Sequence, residues 1–188
     1  MSREPLLVAV WTVDLIWTAD IAATTIPFLA RERFVVNAYS DAPVKIAYVD
    51  PNFREWFFDK KEEPFSGSIL KCAKLSRRSV VSHIIAEVGG HDKAETTLTE
   101  LFALMVAKRE GKSGPLATDG SNIFFIKDVN GKFRSVNVFW RSGREPWREQ
   151  EEIGDFWASI GSGWCVYAHQ LPSAAWECGC KVFFRNSS

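Results

Sequence analysis

Residues Ser121 to Trp140 constrain the fold more than any other stretch of this chain. They read Ser-Asn-Ile-Phe-Phe-Ile-Lys-Asp-Val-Asn-Gly-Lys-Phe-Arg-Ser-Val-Asn-Val-Phe-Trp, two β-rich runs about an Asn130-Gly131 pair. Asn and Gly tolerate the positive φ that tight hairpin turns require, so the pattern predicts a β-hairpin. A two-residue loop sets Phe125 opposite Val136 and Ile123 opposite Val138, with Trp140 continuing that face. A three-residue loop starting at Val129 pairs Asp128 with Lys132 and turns the other residues of Ile123 to Ile126 inward. The first joins apolar residues across the pair and is the expected register, although it also sets Lys127 opposite Arg134.

The middle of the chain reads as helical. Ser76 suits a helix start, and Val80, Val81, Ile84, Ile85 and Val88 form one stripe at helical period. Gly89-Gly90 stops it. Asp92 and Glu95 then resemble a capping box for a second helix with Ala94, Leu98, Leu101, Phe102 and Met105 as its buried stripe. Lys108 and Arg109 suit its negative end, and Gly111 ends it. These two helices make a helical hairpin over about 76–110. Read as a DNA-binding motif, the second helix puts Glu95, Thr96, Thr97, Thr99 and Glu100 where base and phosphate contacts are needed, so DNA is not the expected partner. Gly111-Lys112-Ser113 resembles the end of a phosphate loop, but the glycine needed five residues earlier is Val106. The segment is read as a linker.

The N-terminal stretch Leu6 to Trp17 is apolar except for Thr12 and Asp14. Its flanks do not suit a secretory signal, and Asp14 and Asp20 interrupt it too soon for a membrane span. It is read as buried core. Leu6, Val10, Val13 and Trp17 fit helical spacing, while the β-branched residues favour a strand, and periodicity does not decide between them. Arg33 to Tyr39 and Val44 to Val49 suggest two short strands around a Ser40-Asp41-Ala42-Pro43 turn. Trp164 to Leu171 and Lys181 to Arg185 suggest two more. The β-rich C-terminal part covers about 121–185. Strands and helices do not strictly alternate, so the expected fold class is α+β, a mainly antiparallel sheet with the helical hairpin packed on one face. At 188 residues the chain suits one globular domain over 1–188.

Lys plus Arg equals Asp plus Glu at 23 each, which gives no overall field for nucleic acid or an anionic membrane. Neither is an expected partner. The four cysteines, Cys72, Cys165, Cys178 and Cys180, are unevenly spread in a chain large enough to fold without bridges. They read as reduced thiols of a cytoplasmic protein.

The best metal-ligating set is Cys165, His169, Cys178 and Cys180, since thiolate and imidazole suit zinc. Its C-x3-H-x8-C-x-C spacing is not a standard knuckle. On a straight strand Cys165 and His169 share a face but lie roughly 13 Å apart. No bound metal and no cofactor are expected. A Cys–His hydrolase or transferase would draw on Cys165 with His169, His83 or His91. No G-x-S-x-G is present, Gly161-Ser162-Gly163 having the wrong spacing.

Eight tryptophans stand out, five of them between Trp140 and Trp176. Trp147 lies in the polar run Arg141 to Asp155, flanked by Arg144 and Arg148. Trp and Arg are the commonest interface anchors, so Trp147, Arg144 and Arg148 are the candidate binding residues. The expected function is a non-enzymatic binding or accessory role, through contact with another protein or self-association. That role predicts an exposed aromatic patch. The competing expectation, a small cytoplasmic hydrolase or transferase using a Cys/His pair, predicts a pocket holding a titratable group with a shifted pKa.

Overall fold

The computed structural model describes the backbone of residues 7–15, together with residues 27–38, 41–42, 44–64, 68–108, 115–142, 161–171 and 174–185. In chain order the elements are β1 (Leu7–Leu15), β2 (Phe28–Leu29), α1 (Ala30–Arg33), β3 (Ile46–Val49), α2 (Pro51–Phe57), β4 (Lys61–Glu62), β5 (Ser68–Leu75) and β6 (Ser79–Val80). There follow α3 (Val81–Glu87), α4 (His91–Ala94), α5 (Leu98–Ala107), β7 (Asn122–Lys127), β8 (Phe133–Arg141), β9 (Gly163–Gln170), β10 (Ala175–Trp176) and β11 (Lys181–Arg185). Seven strands form one mixed sheet in the order β1-β5-β11-β7-β8-β9-β3. It is mainly antiparallel; β11 with β7 and β9 with β3 are the parallel pairs.

The hairpin forms at the expected place but in the other register. Phe125 lies opposite Ser135, Ile123 opposite Asn137 and Phe124 opposite Val136. The Asp128 N–H donates to Lys132 O at 2.8 Å, closing a three-residue loop of Val129, Asn130 and Gly131, with Gly131 at φ 73°. The Asp128 carboxylate accepts from the N–H of Asn130 and of Lys132 and from Arg134 Nε at 2.8–2.9 Å. Apolar pairing could not choose the register because Ile123, Phe124, Phe125 and Ile126 are all fully buried. Both faces of this strand are covered, so turn chemistry decided.

Those alternating residues fall into two apolar clusters, one on each face. Phe124, Ile126, Val136, Val138, Trp164, Val166 and Phe183 pack with α1, α2 and α5. Phe124 and Phe183 stack at 4.7 Å. Ile123, Phe125 and Val182 pack with α3 and Ala94 of α4. The helical segment therefore differs from the expected two-helix hairpin on one face. It comprises three helices, and its apolar residues are divided between the two faces. The chain leaves helix at Glu95 because Phe125 O accepts from Thr96 N–H at 2.8 Å and from Thr96 Oγ1 at 3.2 Å. Helix α5 then starts on a capping box of Thr97 and Glu100 rather than Asp92 and Glu95, with the Glu62 carboxylate accepting from Leu98 and Thr99 N–H.

Two further expectations change. Arg33–Tyr39 forms no strand among its described residues; Arg33 ends α1, and Val35 and Val36 are exposed. Ser76 does not cap α3, because β6 and its pairing with β10 intervene. Leu7–Leu15, left open between helix and strand, is the strand β1, paired with β5.

Candidate binding face at the end of strand β8

Strands β8, β9 and β3 carry a second row of side chains on the face away from α1, α2 and α5. On β8 these are Ser135, Asn137, Phe139 and Arg141; on β9 they are Cys165, Tyr167 and His169. Tyr167 lies beside Tyr48 at 5.2 Å between ring centroids, beside Phe139 at 5.6 Å and beside His169 at 6.4 Å; His169 meets Trp176 at 5.3 Å. Tyr48, Phe139, Tyr167 and His169 are half-buried, so this aromatic row reaches the surface. Beneath it the buried apolar cluster is small: Ala38, Ala47 and Cys165.

The row ends in a cleft of about 680 Å³ lined by Thr118–Ser121 on one side and Asn137 and Phe139–Ser142 on the other. Such a volume suits a small ligand or a short segment of a larger one. Its first wall is held by Asn122, whose Nδ2 donates to Ala117 O at 2.9 Å and Val138 O at 3.0 Å while Oδ1 accepts from Ala117 N–H at 2.7 Å. In the second wall Asn137 is 7% exposed, and its Oδ1 is buried with no hydrogen-bond partner among the described residues. Ser135 Oγ, two residues along the same face, is in the same condition.

The candidate catalytic groups do not converge. Cys165 is buried under the aromatic row, and burial pushes its thiol up to about 12, away from the reactive thiolate form. His169 shares its face on β9 but stands four residues further on, and burial lowers its pKa while Asp50 opposes this. His83 is exposed on α3. His91 is exposed with its ring 4.8 Å from Phe133. Cys72 lies in the α5-side cluster with its thiol raised by burial to about 12.

The candidate metal ligands are likewise divided. Cys178 is exposed, its Sγ donating to Ser76 O at 3.3 Å, and Cys180 is half-buried in the turn before β11. Among the described residues no three His, Cys, Asp or Glu side chains are placed to share an ion. All four cysteines are free thiols. Trp147, Arg144 and Arg148 lie outside the described residues.

The aromatic row and the cleft were missed in the sequence, although Trp164–Leu171 was read as a strand. The usable signal was Val-Tyr-Ala-His on β9, whose alternate residues are aromatic. Among the described residues no helix is long and apolar enough to cross a membrane. No family model, no curated protein and no solved structure matches this chain.

Proposed function

We propose that this protein acts by binding rather than by catalysis, and that it contacts another protein or a second copy of itself through aromatic and arginine side chains. The observation that carries the reading is the half-buried row Tyr48–Tyr167–Phe139 running into a cleft walled by Asn137, Trp140 and Arg141. Aromatic rings bury much area at little entropic cost, and polar groups among them give register, which is the composition of interface centres. The chain passes from Arg141 and Ser142 directly into the stretch that holds Arg144, Trp147 and Arg148, and the proposal keeps those three as anchors. The balanced charge suits neither nucleic acid nor an anionic membrane as partner, and four free thiols fit the cytoplasm.

The test replaces Tyr167 with photoreactive p-benzoyl-phenylalanine and irradiates the protein both purified and in the cell. We expect one discrete adduct, a dimer in the first case or a heterologous complex in the second, weakened by Trp147→Ala. The same probe at His83, exposed on α3 and outside the aromatic row, serves as control. Adducts of equal yield at both positions, or none at Tyr167, contradict the proposal.

A further inference from the structure

We infer that the cleft at the end of β8 takes an extended peptide segment, with the Asn137 carboxamide paired to one of its peptide groups. The inference rests on the contact reading above and names what that surface reads.

Two observations point to it independently. The first is Asn137 itself. Its side chain is more than nine-tenths buried and lines the cleft, and its Oδ1 meets no donor among the described residues. A buried acceptor of this kind costs stability unless something fills it. A carboxamide offers one acceptor and two donor hydrogens on a single planar group. A peptide group, with its own N–H and C=O, complements it and needs no charge.

The second is the main chain of β8. Strand β7 pairs with β8 only as far as Asn122 opposite Val138, whereas β8 continues with β9 to Arg141 opposite Gly163. In an antiparallel ladder alternate residues turn both N–H and C=O to the same side. The Asp128–Lys132 bond and the Asn122 Nδ2 bond to Val138 O show that the even-numbered residues of β8 face β7. Trp140 is next in that series, beyond the last β7 pair, and it lines the cleft together with Gly120. Among the described residues no backbone hydrogen bond joins the two. Trp140 thus presents a strand edge to the cleft, the geometry by which an extended peptide adds to a sheet. Asn137 and Trp140 are three residues apart, about 10 Å along the strand, so a segment of three or four extended residues spans both. Phe139 and Trp140 supply the apolar contacts. Adenine carries a similar donor–acceptor edge, but a single base does not span the roughly 10 Å between Asn137 and Trp140.

The experiment titrates ¹⁵N-labelled protein, at millimolar ligand, with acetyl-Gly-Ala-Val-Ala-Gly-amide. Parallel titrations use the same peptide with its internal peptide nitrogens methylated, and adenosine. We expect the Asn137 side-chain NH₂ and the Trp140 amide signals to move saturably with the first. Affinity should be roughly tenfold weaker for the methylated peptide, as for loss of one hydrogen bond. Asn137→Leu should weaken the first peptide to a similar degree. The methylated-peptide comparison uses the unaltered protein and so holds whether or not that variant folds. Equal response to both peptides overturns the inference, as does movement with adenosine alone or no movement at Asn137 and Trp140. The Tyr167 crosslink is read separately: its adduct surviving while the peptide titration fails sinks the peptide reading and leaves the contact reading standing.

Discussion

Asn122 and Asn137 sit on neighbouring strands, Asn122 opposite Val138 and Asn137 opposite Ile123, and their side chains leave the sheet on opposite faces. Both are buried. Asn122 makes three hydrogen bonds and holds a turn in place, whereas the Asn137 acceptor makes none among the described residues. The faces differ in the same way. On the Asn122 side, Asp128 and Arg134 form a nearly enclosed pair at 2.8 Å, with the guanidinium 4.0 Å over the Trp56 ring. On the Asn137 side the α3 cluster fills the part over β7 and β11, but over β8, β9 and β3 the buried apolar cluster is three residues and Ser135 Oγ has no hydrogen-bond partner among the described residues. One face is thus filled by its own chain; the other, over β8, β9 and β3, holds buried polar atoms with no partner among the described residues. That imbalance is the cost in stability that the proposed contact surface would carry.

The largest effect should come from the finished face. Phe124 is fully buried and stacked on Phe183, so Phe124→Ala should destabilise by about 3–5 kcal/mol in urea unfolding. Phe102, expected from the sequence to be enclosed, is only half-buried against Phe28 and Phe34, and Phe102→Ala should cost clearly less. Equal losses would mean that Phe102 is as enclosed in the α5-side cluster as Phe124.

Next comes Asp128. Burial acts to raise its pKa, but the bonds from Lys132 N–H, Arg134 and Asn130 N–H, with the guanidinium charge, hold it below the usual carboxylate range. A depressed folded pKa stabilises the protein above the unfolded value of about 4, and that stability is lost as pH falls through the lower folded one. Asp128→Asn should cost about 2 kcal/mol at neutral pH and flatten the stability curve on its acid side. An unchanged acid limb would show that the turn does not depend on this charge.

These residues also mark what the sequence made legible. Gly131 and the two β-rich runs announced a hairpin, because backbone freedom and strand propensity are local properties. Its register was not legible: the choice fell to Asp128, whose role appears only when the turn closes around it. The stripe of Ile84, Ile85 and Val88 identified a helix, but no local pattern told which face of the sheet it covers. The break at Glu95–Thr97 depends on Phe125 O, some thirty residues away in the chain. Helix α2 went unread although Asp50 before Pro51 is good starting chemistry; its carboxylate accepts from Asn52 and Phe53 N–H. Strand β5 was likewise passed over. The proposed binding face is assembled from three strands distant in sequence, so Tyr48, Phe139 and Tyr167 could not be grouped in advance. Cys165 and His169 were rightly placed on one strand face, but burial, invisible in the sequence, raises the thiol pKa and disfavours the thiolate.

A smaller effect on stability is expected at Trp147. As a partner anchor, Trp147→Ala should change unfolding free energy by no more than about 0.5 kcal/mol while weakening the Tyr167 adduct. A melting temperature lowered by several degrees with the adduct intact would make Trp147 a structural residue.

The comparison itself is tested most directly by urea unfolding of two matched variants. Asn122→Leu removes three hydrogen bonds and leaves the Ala117 turn unheld, and should destabilise by about 2–3 kcal/mol. Asn137→Leu, nearly the same change in shape, replaces a buried unpartnered acceptor with an apolar side chain and should stabilise by about 1 kcal/mol. Opposite signs are the result predicted here. Destabilisation of similar size in both variants would mean that Asn137 is held by the fold as Asn122 is, and would contradict the account.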